Sequence, residues 1–203
     1  MIANKSTANK NSKIKNSREE SQNKSESYTD YFNSPLGLIE CKATDKGLAH
    51  VIFCGDQTSE IKPNHITELC KQQLEQYFNG ELSQFNVPLD PKGTEFQKSV
   101  WQCLSIIPFG ETASYLDIAK MVNKPKGSQA VGGANGRNPI SIIVPCHRVV
   151  GSNGSLTGYA GGIERKLWLL NHEGIELKPS KENAALDLKN VIKSRQSKTQ
   201  FLT

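Results

Sequence analysis

Large apolar side chains are concentrated in the middle of this 203-residue chain, and that distribution limits what can fold. In residues 1–27 the only large aliphatics after Met1 are Ile2 and Ile14, set among Asn, Ser, Lys, Thr, Gln and Glu. Residues 178–203 are similarly Lys-rich and poor in aromatics. Neither end has the apolar area to repay an ordering cost of roughly 1–2 kcal/mol per residue. Both are expected to be disordered tails, with the folded protein spanning 28–177. A segment of that length accommodates two small domains or one of middling size.

The formal charge of +5 belongs mostly to those ends, with six basic and three acidic residues in 1–27 and six and two in 178–203. Within the fold, residues 28–90 carry four basic and nine acidic side chains, while 91–177 carry nine and six. Only the second half has the sign expected of a surface facing phosphates. No apolar run approaches the roughly 18 residues of a membrane span, so no membrane association is expected. The N-terminus lacks the apolar core of a secretory signal, and Glu19-Glu20 argues against a transit peptide. Five cysteines, an odd number without CxxC spacing, argue against a disulfide framework or zinc knuckle and for a cytoplasmic setting.

Turn clusters at Asn33–Gly37 and Thr44–Gly47 divide the segment from Tyr28 to Cys54 into strands, with Leu48–Cys54 an apolar candidate. Asn64 then caps a helix burying Ile66, Leu69, Cys70, Leu74, Tyr77 and Phe78, and Asn79-Gly80 ends it. Val87 to Gly93, with two prolines, reads as a linker. Thr94 and Gln97 form a capping box ahead of a helix burying Phe96, Val100, Cys103, Leu104 and Ile107. Ser114 caps a short helix through Ile118, Ala119 and Met121, and a second runs from Ser128 to Ala134 across a turn at Asn123–Gly127. That outline fits a helix-turn-helix or an ordinary helical hairpin. The second helix contains Ala130-Val131-Gly132-Gly133-Ala134, although each glycine costs about 0.5–1 kcal/mol against alanine. Such a face suits close approach to another surface, either a protein core or the minor groove of DNA. Lys124, Lys126 and Arg137 flank it.

Ile140–Val144 has the pattern of a buried strand and leads into Pro145-Cys146-His147-Arg148. A cysteine beside a histidine is a candidate activated nucleophile, because the thiolate attacks and the imidazole takes its proton. Neighbouring residues in a strand face opposite ways, so cooperation requires a turn or a relaying water. Taken alone, the dipeptide reads as a buried structural cysteine. His50 and His65 read as surface or satisfied residues, and Cys41, Cys54, Cys70 and Cys103 as small hydrophobes.

Six ordered blocks carry more. They are Gly110–Tyr115, Ala130–Asn135, Asn138–Ile142, Pro145–Val149, Thr157–Gly162 and Trp168–Gly174; Ser34–Gly37 and Phe96–Trp101 extend them. With these motifs the chain resembles, over about 28–177, the O6-alkylguanine-DNA alkyltransferase family, its bacterial constitutive branch in particular. The resemblance implies an α+β fold. Residues 28–91 would form a small ribonuclease-H-like domain with an antiparallel sheet, and 92–177 a mostly helical, winged-helix-like domain holding the helix-turn-helix and the reactive cysteine.

It also implies direct, single-turnover repair, in which an alkyl group passes irreversibly from O6-alkylguanine, and O4-alkylthymine, in double-stranded DNA onto Cys146. Cys146 would be deprotonated through a water and His147, with Glu173 closing the relay and the thiol pKa lowered. Tyr115 would protonate the departing base and rotate the target phosphate, and Asn138 would hold the turn before the nucleophile. The nucleotide would be flipped out by a minor-groove helix presenting Gln129, Ala130, Gly132, Asn135 and Arg137. Val149, Tyr159 and Ala160 would line the base pocket, and Ser152 would contact phosphate. No cofactor is implied, and the protein is expected to act as a monomer.

There are two departures from the family pattern. Gln129 stands where an arginine is common, and the zinc ligands of some members are replaced by Ser25, Thr44 and Ala49, so no metal is expected. The alternatives are a non-catalytic sensor of alkylated DNA, a helix-turn-helix transcription regulator and a cysteine hydrolase. The sensors replace the acceptor cysteine, which is present here.

Overall fold

The protein is described from a computed structural model covering residues 26–176, so the two expected tails lie outside the described residues except for Glu26 and Ser27. The N-terminal part is a three-stranded antiparallel sheet in the order β1 (Tyr28–Ser34), β2 (Gly37–Ala43), β3 (Leu48–Phe53). The first hairpin closes because the Ser34 hydroxyl donates to Gly37 O and accepts from Leu36 N, while Gly37 takes φ +111°. Helix α1 (His65–Phe78) begins at an Asn64 capping box, with Asn64 accepting from Ile66 N and Thr67 N, and packs on β1 and β2. Ile39, Cys41, Val51, Ile66, Cys70 and Leu74, each at most 1% exposed, fill the space between them.

The segment read as a linker is more than that. Leu48 N donates to Pro88 O and Asp90 N to Leu48 O, so the chain runs beside β3 before leaving. Gly47 permits this, because a Cβ there would lie 2.7 Å from the Leu89 carbonyl carbon.

The helical part comprises α2 (Glu95–Ser105), α3 (Tyr115–Met121), α4 (Ser128–Gly136) and α5 (Ile163–His172). Thr94 with Gln97, and Ser114 with Asp117, form capping boxes at the starts of α2 and α3. Buried Trp101 of α2 donates from Nε1 to Ala134 O, fixing α4 across α2. Two short strands, β4 (Ala113–Ser114) and β5 (Val149–Val150), pair in parallel and bring the start of α3 beside the Cys146 segment. No described helix is long and apolar enough to cross a membrane.

The two parts share one core. Val51 N donates to Pro139 O, and Ser141 N to Val51 O. Trp168 of α5 stacks on His172 at 4.9 Å and leans on Phe78 of α1 at 5.8 Å, and the His172 ring bonds Tyr77 O at 2.7 Å.

Candidate active site

The expected strand over Ile140–Val144 does not form. After its one bridge to Val51 the chain coils, with Ile143 N bonded to Ser141 O, Val144 N to Ile140 O, and Ile142 at φ +72°. A β-branched residue in that region carries strain of about 1–3 kcal/mol, which the surroundings must hold. Asn138 holds it: its Oδ1 accepts from Ile140 N, and its Nδ2 donates to Ile140 O and Val144 O. Cys146–Arg148 then form a single 3₁₀ turn. The turn sends successive side chains in different directions, Cys146 toward Tyr115, Tyr159 and Lys166, and His147 and Arg148 inward to Glu173.

Glu173 is 3% exposed and takes four donors. Oε1 receives the Tyr77 hydroxyl at 2.8 Å, His147 Nε2 at 2.7 Å and Arg148 Nη2 at 3.1 Å; Oε2 receives Arg148 Nε at 2.7 Å. Burial alone would raise this carboxyl, but the hydrogen bonds of His147 and Arg148 and the Arg148 charge hold it down at about 2. An ionised Glu173 makes His147 carry its proton on Nε2. Nδ1 is then the basic nitrogen, and it is buried with no protein partner. Burial also pushes the imidazolium pKa down, so the ring rests neutral and able to accept a proton.

The thiol differs from its expected state. Burial pushes Cys146 up, outweighing the Asn138 side chain, the Lys166 charge and the backbone N–H groups of the turn. At 3% exposure Cys146 rests as a thiol.

The Tyr115 hydroxyl donates to Thr157 O at 3.1 Å, and burial pushes its pKa up, so it remains a proton donor. The Tyr159 ring is buried near the thiol and Val149 is buried, while Ala160 and Ser152 are exposed. Gln129, Ala130 and Arg137 lie open on α4 around a groove of about 540 Å³ that Phe96 and Gln97 also line. Asn135, expected on that open face, is 2% exposed instead, and its Nδ2 reaches Cys146 O at 3.4 Å. It lies at the back of the helix, toward the nucleophile turn.

Gly132 and Gly133 of α4 are not explained by internal packing. A Cβ at Gly132 would meet only the Tyr115 ring at 3.7 Å, and one at Gly133 only the movable end of Arg137 at 3.2 Å.

Sequence reasoning gave no role to Tyr77, Arg148 or Lys166. Arg148 stood inside a recognised motif, but Tyr77 was indistinguishable from other apolar-face residues of α1. Lys166 is fully buried, donates from Nζ to Val149 O at 2.6 Å and Thr157 O at 2.8 Å, and is pushed down to about 8 by burial. An unpaired lysine on an apolar helix face was its only available signal. Thr44 and Ala49 supply no ligand, Ser25 lies outside the described residues, and no cluster of three His, Cys, Asp or Glu side chains occurs among the described residues.

Comparison with known proteins places this geometry. Residues 27–91 match the family profile of the 6-O-methylguanine DNA methyltransferase ribonuclease-like domain, and 95–175 match that of its DNA binding domain. A methylated-DNA–protein-cysteine methyltransferase of Methanosarcina acetivorans is 50% identical over 153 residues, covering 72% of this chain and 98% of the relative. One from Mycobacterium tuberculosis is 55% identical over 163 residues, covering 77% and 95%. The crystal structure of the M. tuberculosis O6-methylguanine methyltransferase superposes with a TM-score of 0.66 at 44% identity, over 73% of this chain and 93% of that one. A structure of the M. tuberculosis protein in complex with DNA gives 0.65 at 44%, over 72% and 91%.

Proposed function

The chain belongs to the 6-O-methylguanine DNA methyltransferase family, and from that membership and its site we infer that it repairs DNA by moving an alkyl group from a base onto its own cysteine. The observation that carries the assignment of roles is the buried thiol of Cys146, next in sequence to a neutral His147 whose far nitrogen is locked on Glu173. We assign the substrate as O6-alkylguanine in duplex DNA and the acceptor as Cys146.

In this reading the Cys146 proton passes through a water to His147 Nδ1 as Sγ attacks the alkyl carbon. The carbon–O6 bond breaks, its electrons go to the guanine, and Tyr115 gives the base its proton. The new thioether has no leaving route, so each molecule acts once. A thiol 3% exposed cannot reach a stacked base, and the nucleotide must leave the helix at a cost of a few kcal/mol. Exposed Gln129, Ala130 and Arg137 on a helix of small residues suit entry into the minor groove, with Lys124 and Lys126 exposed nearby for phosphates. Tyr159, Val149 and Ala160 are assigned to the base pocket and Ser152 to a phosphate. We propose that the protein acts as a monomer in the cytoplasm. Neither a transcription regulator nor a sensor requires the thiol, the oriented imidazole and the ion pair together. Titration with a duplex carrying O6-methylguanine should restore guanine up to one per protein and then stop; continued turnover would point to a hydrolase.

Gln129 lacks the charge and flat guanidinium of the arginine common at this position, which makes it a weaker filler of the vacated stack. Gln129→Arg should therefore speed repair of duplex DNA by about three- to tenfold while leaving reaction with free O6-benzylguanine nearly unchanged. Equal acceleration of both, measured as second-order rate constants, would remove flipping as the reason.

A further inference from the structure

The chain segment Thr157–Gly162 carries buried Tyr159, which interacts with Cys146, and several of its carbonyls are held by side chains. Tyr115 donates to Thr157 O and Gly158 O, Lys166 to Thr157 O, and Arg165 Nη1 to Gly161 O at 2.8 Å. Arg165 differs from the others in where its second arm goes. Its Nε donates to Leu36 O in the β1–β2 turn at 2.9 Å, and its guanidinium carbon lies 4.6 Å from the centre of the Phe53 ring at the end of β3.

Arg165 thus links the N-terminal sheet to the segment that carries Tyr159. Gly161 is wedged at the same place: a Cβ there would fall 2.6 Å from the Tyr159 ring and 3.1 Å from the Phe53 ring. A cavity of about 750 Å³ lies on the outer side, bordered by Leu36, Gly161, Gly162, Arg165 and Trp168, so the segment is not packed tightly there. If Tyr115 turns to protonate a departing base it releases Thr157 and Gly158, and the hold passes to Lys166 and Arg165. A planar fork with a carbonyl at each end and a ring beneath it fixes position far better than a single ammonium could.

We propose that Arg165 is a positioning residue that straps the Thr157–Gly162 segment to the N-terminal sheet and so sets the width of the alkyl pocket, and with it the alkyl size accepted. This rests on the reading above, in which that segment lines the pocket. It also gives the acidic N-terminal part a role in substrate selection.

The test compares the full chain with Arg165→Met, Arg165→Lys and Phe53→Leu. Rates of Cys146 alkylation are measured with duplexes of one sequence carrying O6-methylguanine or O6-benzylguanine. Releasing the strap should raise the benzyl-to-methyl rate ratio about fivefold or more in Arg165→Met, with a smaller rise in Arg165→Lys. Phe53→Leu keeps both hydrogen bonds and should move the ratio the same way, which covers the case where Arg165→Met folds poorly. Loss of stability alone would lower both rates together and leave the ratio in place. A ratio within about twofold of wild type in every variant that folds, or a shift toward methyl, overturns the strap. A wild-type protein that alkylates Cys146 with neither duplex would overturn the repair reading itself.

Discussion

A Cys146→Ala protein should take up no alkyl group from DNA containing O6-methylguanine, a loss of at least about 10³-fold in rate, while still binding the duplex. Deleting one buried sulfur costs only about 1 kcal/mol of packing, so the protein should stay folded. Cys146→Ser should fail nearly as completely. A hydroxyl is far less acidic than even the raised thiol, and a neutral imidazole cannot take its proton to any useful extent. The measurement is alkyl transfer from a labelled oligonucleotide, beside a binding assay on the same duplex. If Cys146 were a structural cysteine, the alanine variant would retain transfer and lose only stability.

The second large effect falls on Glu173. In Glu173→Gln the buried Arg148 loses its carboxylate, and breaking such a pair from one side costs about 3–5 kcal/mol. The amide can also donate to His147 Nε2, which would move the ring proton to Nδ1 and abolish the base. A wrongly fixed tautomer of this kind lowers rates on the order of 10³–10⁴-fold. The two consequences separate by pH. Glu173 is held at about 2 in the fold against an ordinary 4.5, so the folded state binds fewer protons between those values. Its contribution to stability is complete above about 4.5 and drains away as the pH falls toward 2. Denaturant unfolding of wild type and Glu173→Gln should therefore differ most near neutrality and converge in acid. A constant gap down to acid pH would mean that the carboxylate is not what the network stabilises.

What could be read from the sequence was local. Asn64, Thr94 and Ser114 each bond N–H groups two or three residues away, and the turns at Ser34–Gly37 and Thr44–Gly47 close within their own segments. What failed depended on distant partners. Ile140–Val144 is as apolar as a strand, but Asn138 and Val51 bend it, and nothing in the run itself signals that. Asn135 belonged to a motif expected on the open face, and its burial became clear only from where the nucleophile turn sits relative to α4. Tyr77 lies 96 residues from Glu173 along the chain. The direction of the Cys146 shift followed from how deeply the fold encloses it, which no local pattern records. The family motifs, rather than residue types alone, named the nucleophile, base and carboxylate, but their protonation states came from packing.

That Cys146 is the acceptor is tested most directly by weighing the intact protein after incubation with an equimolar duplex carrying one O6-methylguanine. The predicted result is a single added mass of about 14 Da, located on the Cys146 peptide, with guanine restored in the DNA. An unchanged mass while the duplex remains bound, or an added methyl on any other residue, would contradict it.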